Sequence, residues 1–236
     1  PMVDMDTWRG FPANDRMIVL SSGRLITPMA LNPIRPADRV GWTDADRSLL
    51  QPVRSDDMGL TWQLCSNDAS LEDTNAPRAS EPAMFEKKDG TLVFYNRTKW
   101  GTFWAQESND GGETLSKSYD TGIQSPAAPC IIGRIPGTGD LLMVWNNAKP
   151  DKPGSGGPRM PLTTAISRDD GETWTNAKDL EPDTSRSYMY PALNFDGDTA
   201  MILYSQGEAD SVSEWSTNWH NTSLKLALVP VDWFYD

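Results

Sequence analysis

The residues of this chain that could do chemistry are a glutamate, two tyrosines and a few arginines, each placed where a strand meets a turn. In Ser80-Glu81-Pro82-Ala83-Met84-Phe85-Glu86-Lys87-Lys88-Asp89-Gly90-Thr91-Leu92-Val93-Phe94-Tyr95-Asn96-Arg97 the turn signal falls at Lys88-Asp89-Gly90. With those three residues as the loop, Lys87 pairs with Thr91 and, counting outward, Glu81 lies opposite Arg97. Directly opposed residues of an antiparallel pair share a face, with Cβ atoms ~5 Å apart. A cross-strand ion pair is the plain account of that pairing; a proton-accepting carboxylate beside an anion-holding guanidinium is the chemical one. Tyr188 and Tyr190 open a later hairpin with the same side-chain parity. A phenol with a pKa near ~10 is a poor nucleophile unless a neighbouring base takes its proton; otherwise such residues are half-buried strand tyrosines with bonded hydroxyls. Arg159 follows the flexible stretch Pro153-Gly154-Ser155-Gly156-Gly157, where a solvent-exposed role is the alternative, and Arg16 starts the first hairpin. One histidine, His220, and two cysteines, Cys65 and Cys130, cannot assemble a zinc site. No metal or cofactor is therefore expected, and the cysteines are expected as two buried thiols.

Positioning these groups falls to a set of repeated hairpins. Arg16–Leu20 and Arg24–Thr27 flank Ser21-Ser22-Gly23; Pro82–Glu86 and Thr91–Tyr95 flank the turn above; Cys130–Ile132 leads through Gly139 to Leu141–Trp145; and Pro191–Phe195 leads through Asp196-Gly197 to Ala200–Tyr204. Between them an eight-residue pattern recurs: Ser55-Asp56-Asp57-Met58-Gly59-Leu60-Thr61-Trp62, Ser108-Asn109-Asp110-Gly111-Gly112-Glu113-Thr114-Leu115 and Ser167-Arg168-Asp169-Asp170-Gly171-Glu172-Thr173-Trp174, 53 and 59 residues apart. Its shared form S-x-D-x-G-x-T-[W/L] is that of a held turn, with Asp bonding nearby amides, Gly at positive φ, and Thr-Trp re-entering a strand. Four units result, at roughly 13–75, 80–118, 125–180 and 188–236. Four short antiparallel strands repeated at about 40 to 50 residues are the signature of a β-propeller. The fold class expected is all-β, one propeller domain over 1–236.

The eight-residue pattern resembles the Asp-box, or BNR repeat, of the sialidase (neuraminidase) superfamily. That resemblance implies six blades, against about four here, so this chain is expected to be a C-terminal portion lacking N-terminal blades. An unusual small propeller, or a ring closed by another chain, as through self-association, are the alternatives. It implies that the box aspartates lie on the rim opposite the active site and take no catalytic part. The family places a Glu-Pro at the start of one inner strand and an Arg at the end of the next, which matches Glu81-Pro82 … Asp89-Gly90 … Arg97. The glutamate then serves as base for a tyrosine nucleophile, and the arginine belongs to a triad that clamps the substrate carboxylate. By the same resemblance Arg159, on the run into the third box, is a second clamp arginine, and Tyr190 is the nucleophile with Tyr188 as alternate. The first clamp arginine and the aspartic general acid have no matched position; Arg16 is a candidate for the former, and Arg134-Ile135-Pro136 is a coincidence of letters with the family's entry motif.

The chemistry fits this cast. A sialic acid carries its carboxylate on the anomeric carbon, where a carboxylate nucleophile would meet like charge and a phenol would not. Glycoside hydrolysis through a tyrosine is a known departure from the two-carboxylate scheme. Arginine binds a carboxylate in a fixed fork and keeps its charge. The resemblance thus implies an exo-alpha-sialidase-like retaining glycosidase acting on terminal sialic acid or a related acidic sugar, with a glycan or sialoside as partner; the alternative is a non-catalytic propeller that binds carbohydrate or protein.

Composition bounds the rest. The 236 residues include 21 Lys and Arg against 33 Asp and Glu, a net charge of −12. That is no surface for tracking phosphates, so nucleic acid is excluded. No apolar stretch reaches the ~18 to 20 residues of a membrane span. A secreted or periplasmic location is the expectation, although no signal peptide is visible in this sequence. Trp100, Trp104, Trp215 and Trp219 lie in polar surroundings, where they could stack on sugars or fill gaps between blades. Asn96-Arg97-Thr98 and Asn221-Thr222-Ser223 fit a glycosylation sequon, and Val229 to Tyr235 reads as a closing strand.

Overall fold

A computed structural model describes residues 8–12, 15–33, 49–65, 80–150, 156–209 and 223–236. His220, Trp215, Trp219 and Asn221 lie outside the described residues. The chain divides into two compact units, Pro1–Thr98 with Trp104–Thr121, and Lys99–Phe103 with Gly122–Asp236. No helix among the described residues is long and apolar enough to cross a membrane.

All the described sheets are antiparallel, and all four expected hairpins are present. In the first unit β2 (Ile18–Val19), β3 (Leu25–Thr27), β6 (Val53–Ser55) and β7 (Gln63–Leu64) form one four-stranded sheet in that order. A three-stranded sheet of β1 (Trp8–Pro12), β4 (Met29–Pro33) and β5 (Leu49–Leu50) extends it, which the four-unit reading did not anticipate. Its origin is continuity: β3 runs past Pro28 into β4, β5 runs past Gln51-Pro52 into β6, and Gln51 N–H bonds the Met29 carbonyl at 2.8 Å. Next comes the meander β8 (Ser80–Glu86), β9 (Leu92–Arg97), β10 (Thr102–Ser108), β11 (Tyr119–Gln124). Leu92 to Tyr95 are buried on both faces, as a continuous apolar run in a covered strand should be. Ile26, Leu50, Cys65, Met84, Leu92, Phe94 and Leu115 share one core.

The second unit holds the meander β12 (Ile131–Arg134), β13 (Leu141–Asn146), β14 (Leu162–Ser167), β15 (Thr175–Glu181) and a three-stranded sheet β16 (Arg186–Asp196), β17 (Thr199–Glu208), β18 (Ser223–Pro230). The sheets meet at close range: a Cβ on Gly133 would come within 3.0 Å of the Leu193 side chain. Leu142, Val144, Ile166, Tyr188, Ile202, Tyr204 and Phe234 fill the layer between them. The expected closing strand is corrected here. The ladder ends at Pro230, which has no N–H to donate, and Val231–Phe234 turns into a 3-10 helix whose first N–H bonds the Asp198 carbonyl at 2.8 Å.

The three boxes share one bond set. In each, the serine Oγ accepts the glycine N–H (2.8, 2.8 and 2.7 Å) and donates to the aspartate (2.7, 2.7 and 2.8 Å). The aspartate accepts the threonine N–H at 2.8 to 2.9 Å and its hydroxyl at 2.6 Å. Hydrogen bonds from the Thr61 hydroxyl, then the Thr61 N–H and Ser55, hold the Asp57 carboxyl at about 2, and Thr173 does the same for Asp169, also about 2. Gly112 has φ +93°, and any Cβ there would collide with the Ile26 side chain. Arg134 donates to the Gly139 carbonyl (2.6 Å) and to Asp170 (2.8 Å), a role inside its own hairpin and box.

Candidate active site

The hairpin carrying Glu81 closes as counted from the turn: Lys87 N–H bonds the Thr91 carbonyl at 2.8 Å, and Ala83 pairs with Tyr95. Beyond that point the count fails, because Ser80, not Glu81, pairs with Arg97. Glu81 and Pro82 together face Asn96, one residue too many, as a β-bulge requires. Pro82 cannot donate to the ladder, and Glu81 takes φ +44° to carry the chain around it. The carboxylate still meets its expected partner: Arg97 Nη1 donates to Glu81 Oε2, with side chains 18% and 33% exposed.

The same device recurs in the second unit. Met189 pairs with Ser205 and Ala192 with Leu203, so Tyr190 and Pro191 both face Tyr204, and Tyr190 has φ +52°. Glu81-Pro82-Ala83 and Tyr190-Pro191-Ala192 are thus one backbone feature carrying two side chains. Non-glycine residues with positive φ are uncommon and, for a bulky side chain, strained. Among the described residues the others are Met58 and Asp170, at the same place in two boxes, and Asn176.

The bulge also separates the two tyrosines that a plain strand would have placed alike. Tyr188 is fully buried, its hydroxyl 3.3 Å from the Asp183 carbonyl and its ring edge-on to Tyr204 with centroids 6.0 Å apart. Burial, then the carboxylates of Glu181 and Asp183, push its phenol up, away from nucleophilic character. Tyr190 is half-buried, with the Arg159 guanidinium over its ring at 5.1 Å. Arg159 is half-buried too, and its carbonyl accepts the Tyr188 N–H at 2.8 Å. Glu81 and Arg97 therefore meet in one unit, and Tyr190 and Arg159 in the other.

Arg16 is 2% exposed, a guanidinium held inside the first unit. Asn96 is 1% exposed, which rules out its sequon as a glycan acceptor in the folded chain. Trp100 is 52% exposed. Cys65 and Cys130 are buried free thiols, Cys65 pushed up to about 12 by burial. Among the described residues no cluster of three His, Cys, Asp or Glu could hold a metal ion.

Sequence reasoning passed over the support beneath Tyr190. Tyr204, opposite the bulge, donates to Glu181 Oε1, which also meets Lys225 Nζ. Burial and that carboxylate drive the Tyr204 phenol far above the usual tyrosine range. The signal was the strand register itself, once Pro191 is given a bulge.

The fold is matched by known proteins. The family model of the BNR repeat-like domain matches residues 9–203. The chain belongs to the BNR repeat-like domain family. A protein of unknown function from Dyadobacter fermentans superposes with a TM-score of 0.64 at 18% identity, covering 90% of this chain and 51% of that one. The intramolecular trans-sialidase of Ruminococcus gnavus, in complex with oseltamivir carboxylate, gives 0.63 at 23% identity, covering 92% and 43%. The leech intramolecular trans-sialidase, complexed with 2,7-anhydro-Neu5Ac, gives 0.61 at 24%, covering 89% and 30%. At these identities the likeness is one of fold, the sialidase-type β-propeller, and the chain spans 30% to 51% of the length of these structures. No match was found among the curated proteins.

Proposed function

We propose that this BNR-family chain carries the nucleophile, its base and two carboxylate-binding arginines of an exo-alpha-sialidase-like retaining glycosidase acting on terminal sialic acid or a related acidic sugar. The observation that carries the proposal is the doubled bulge. Two inner strands spend backbone strain on one left-handed residue before proline, and the residues so presented are a glutamate and a tyrosine, each against its own arginine. Strain kept at a position that a glycine would relieve is the mark of a side chain needed there.

In this scheme Tyr190 attacks the anomeric carbon as the bond to the aglycone oxygen breaks, the aglycone leaving as an alcohol protonated from solvent, while Glu81 takes the phenolic proton. Water then cleaves the sugar–tyrosine bond with retained configuration, its proton passing to solvent and Glu81 returning its own to the phenolate. The tyrosine avoids the like-charge encounter that a carboxylate would have with an acidic sugar. Arg159 and Arg97 offer planar, permanently charged donors to the sugar carboxylate, and they do so on a chain of net charge −12, so local positive potential must come from them. The sugar class is supported by the similar proteins: the leech structure holds 2,7-anhydro-Neu5Ac and the Ruminococcus gnavus one oseltamivir carboxylate.

The test is release of a fluorogenic aglycone from an α-sialoside by the full-length gene product, compared with Tyr190→Phe. Turnover abolished by the loss of one hydroxyl supports the reading. Sialoside binding without turnover in either protein makes the binding propeller the better account.

A further inference from the structure

The half-buried Arg159 and the strained Tyr190 sit on separate segments, a loop and a strand, and something must hold the two in register. Asn146, the last residue of β13, is 2% exposed, and its Nδ2 lies 3.3 Å from the Pro161 carbonyl and 3.2 Å from the Tyr188 carbonyl. Pro161 is two residues past Arg159; Tyr188 is two residues before Tyr190. A third bond, Tyr188 N–H to the Arg159 carbonyl at 2.8 Å, completes the tie.

Resting on the proposed function above, we infer that Asn146 is the positioning residue of the Arg159–Tyr190 pair. The choice of side chain follows from the acceptors. Two carbonyls converge on one buried point, and an amide NH2 supplies one proton to each. An aspartate would set negative charge against both oxygens, a leucine would leave both buried carbonyls unsatisfied, and a serine offers one donor. The corresponding end of β9 makes the contrast: Asn96 is equally buried, but its Nδ2 lies 3.5 Å from Gln106 Oε1 within its own sheet and ties no loop. The chain has thus used the same residue type one residue before the end of β9 and at the end of β13, once for the sheet and once for the site.

The experiment compares Asn146→Leu and Asn146→Ser with Thr164→Val in the full chain. Thr164 is a buried polar residue of the neighbouring strand that bonds only the Lys178 carbonyl at 3.1 Å, so it controls for lost stability. Two readouts are taken. Without ligand, amide exchange at Tyr188 should accelerate by about tenfold or more in Asn146→Leu relative to the β13–β14 ladder, less in Asn146→Ser, and not in Thr164→Val. With a fluorogenic sialoside, KM should rise about tenfold in Asn146→Leu, since a misplaced anchor costs that much, and Asn146→Leu combined with Arg159→Lys should be little worse than Arg159→Lys alone. A Tyr188 amide that stays protected, or losses that multiply in the double variant, overturns the inference. If the wild type neither binds nor turns over sialosides, the proposed function fails and exchange at Tyr188 alone decides this one. If Asn146→Leu does not fold, Asn146→Ser is read against the same control.

Discussion

The box turns and the two proline bulges both depend on left-handed residues, yet they are opposite kinds of structure. In the boxes, serine, aspartate and threonine bond inward to the turn itself, and the same bonds recur three times at nearly the same lengths. In the bulges the backbone is the constant part and the side chain differs, Glu81 in one and Tyr190 in the other. Repetition of side chains together with their bonds marks a structural device. Repetition of a strained backbone under changing side chains marks a place where the chain presents chemistry.

That contrast sets an order of expected effects. The largest is on turnover: Tyr190→Phe should lower kcat for a sialoside by about 10^3-fold or more while its thermal midpoint moves by only a degree or two, because the ring and its contact with Arg159 survive. A comparable loss of stability together with the loss of turnover would return Tyr190 to the structural class.

Next come the boxes, where the effect should fall on stability alone. Gly112→Ala must accommodate φ +93° and a collision with Ile26, and should cost about 3 kcal/mol in chemical denaturation, at the upper end for overpacking plus backbone strain. The equivalent change at Gly23, with φ +87° and open space around it, should cost about 1 kcal/mol. Equal costs at the two glycines would mean that packing of the box against β3 contributes nothing.

Acid should then act on stability through the boxes. The carboxyls of Asp57 and Asp169 lie near 2 in the fold against an ordinary 3.8. A depressed folded value contributes stability above about pH 4 that is lost as pH falls toward 2. The denaturation midpoint should hold steady from pH 7 to about 4 and decline below it, and Asp57→Asn with Asp169→Asn should flatten that decline. A profile unchanged by the two substitutions would contradict the bond set described for the boxes.

The smallest effect on stability is of opposite sign. Glu81→Gly relieves the positive φ and loses an ion pair worth about 0–1 kcal/mol, so stability should stay level or rise by up to about 1 kcal/mol, while turnover disappears. Clear destabilisation would show that the bulge is not strained.

How much of this was legible follows the same division. The boxes and the four hairpins could be read from spacing, since each is specified locally by Gly, Asp and Thr at fixed offsets. The Glu81–Arg97 pairing was read correctly as a contact and wrongly as a register, because counting outward from a turn assumes an unbroken ladder. Pro82 and Pro191 carried the missing signal: a proline inside a strand withdraws a donor and invites an extra residue. The same oversight made Tyr188 and Tyr190 look interchangeable, whereas one extra residue sends Tyr188 into the core. The three-stranded extension of β1, β4 and β5 was not legible, as it arises from two strands continuing past prolines that read as breaks. Asn146 was invisible for another reason: its two acceptors are backbone carbonyls far away in sequence, which no pattern of side chains announces.

The central claim is that the strained tyrosine is the nucleophile, and trapping tests it most directly. The full-length protein is incubated with 2,3-difluorosialic acid, digested and mapped by mass spectrometry. One sialosyl adduct on Tyr190, absent from Tyr190→Phe, is the predicted result; an adduct on another residue, or sialoside turnover with no adduct at Tyr190, would contradict it.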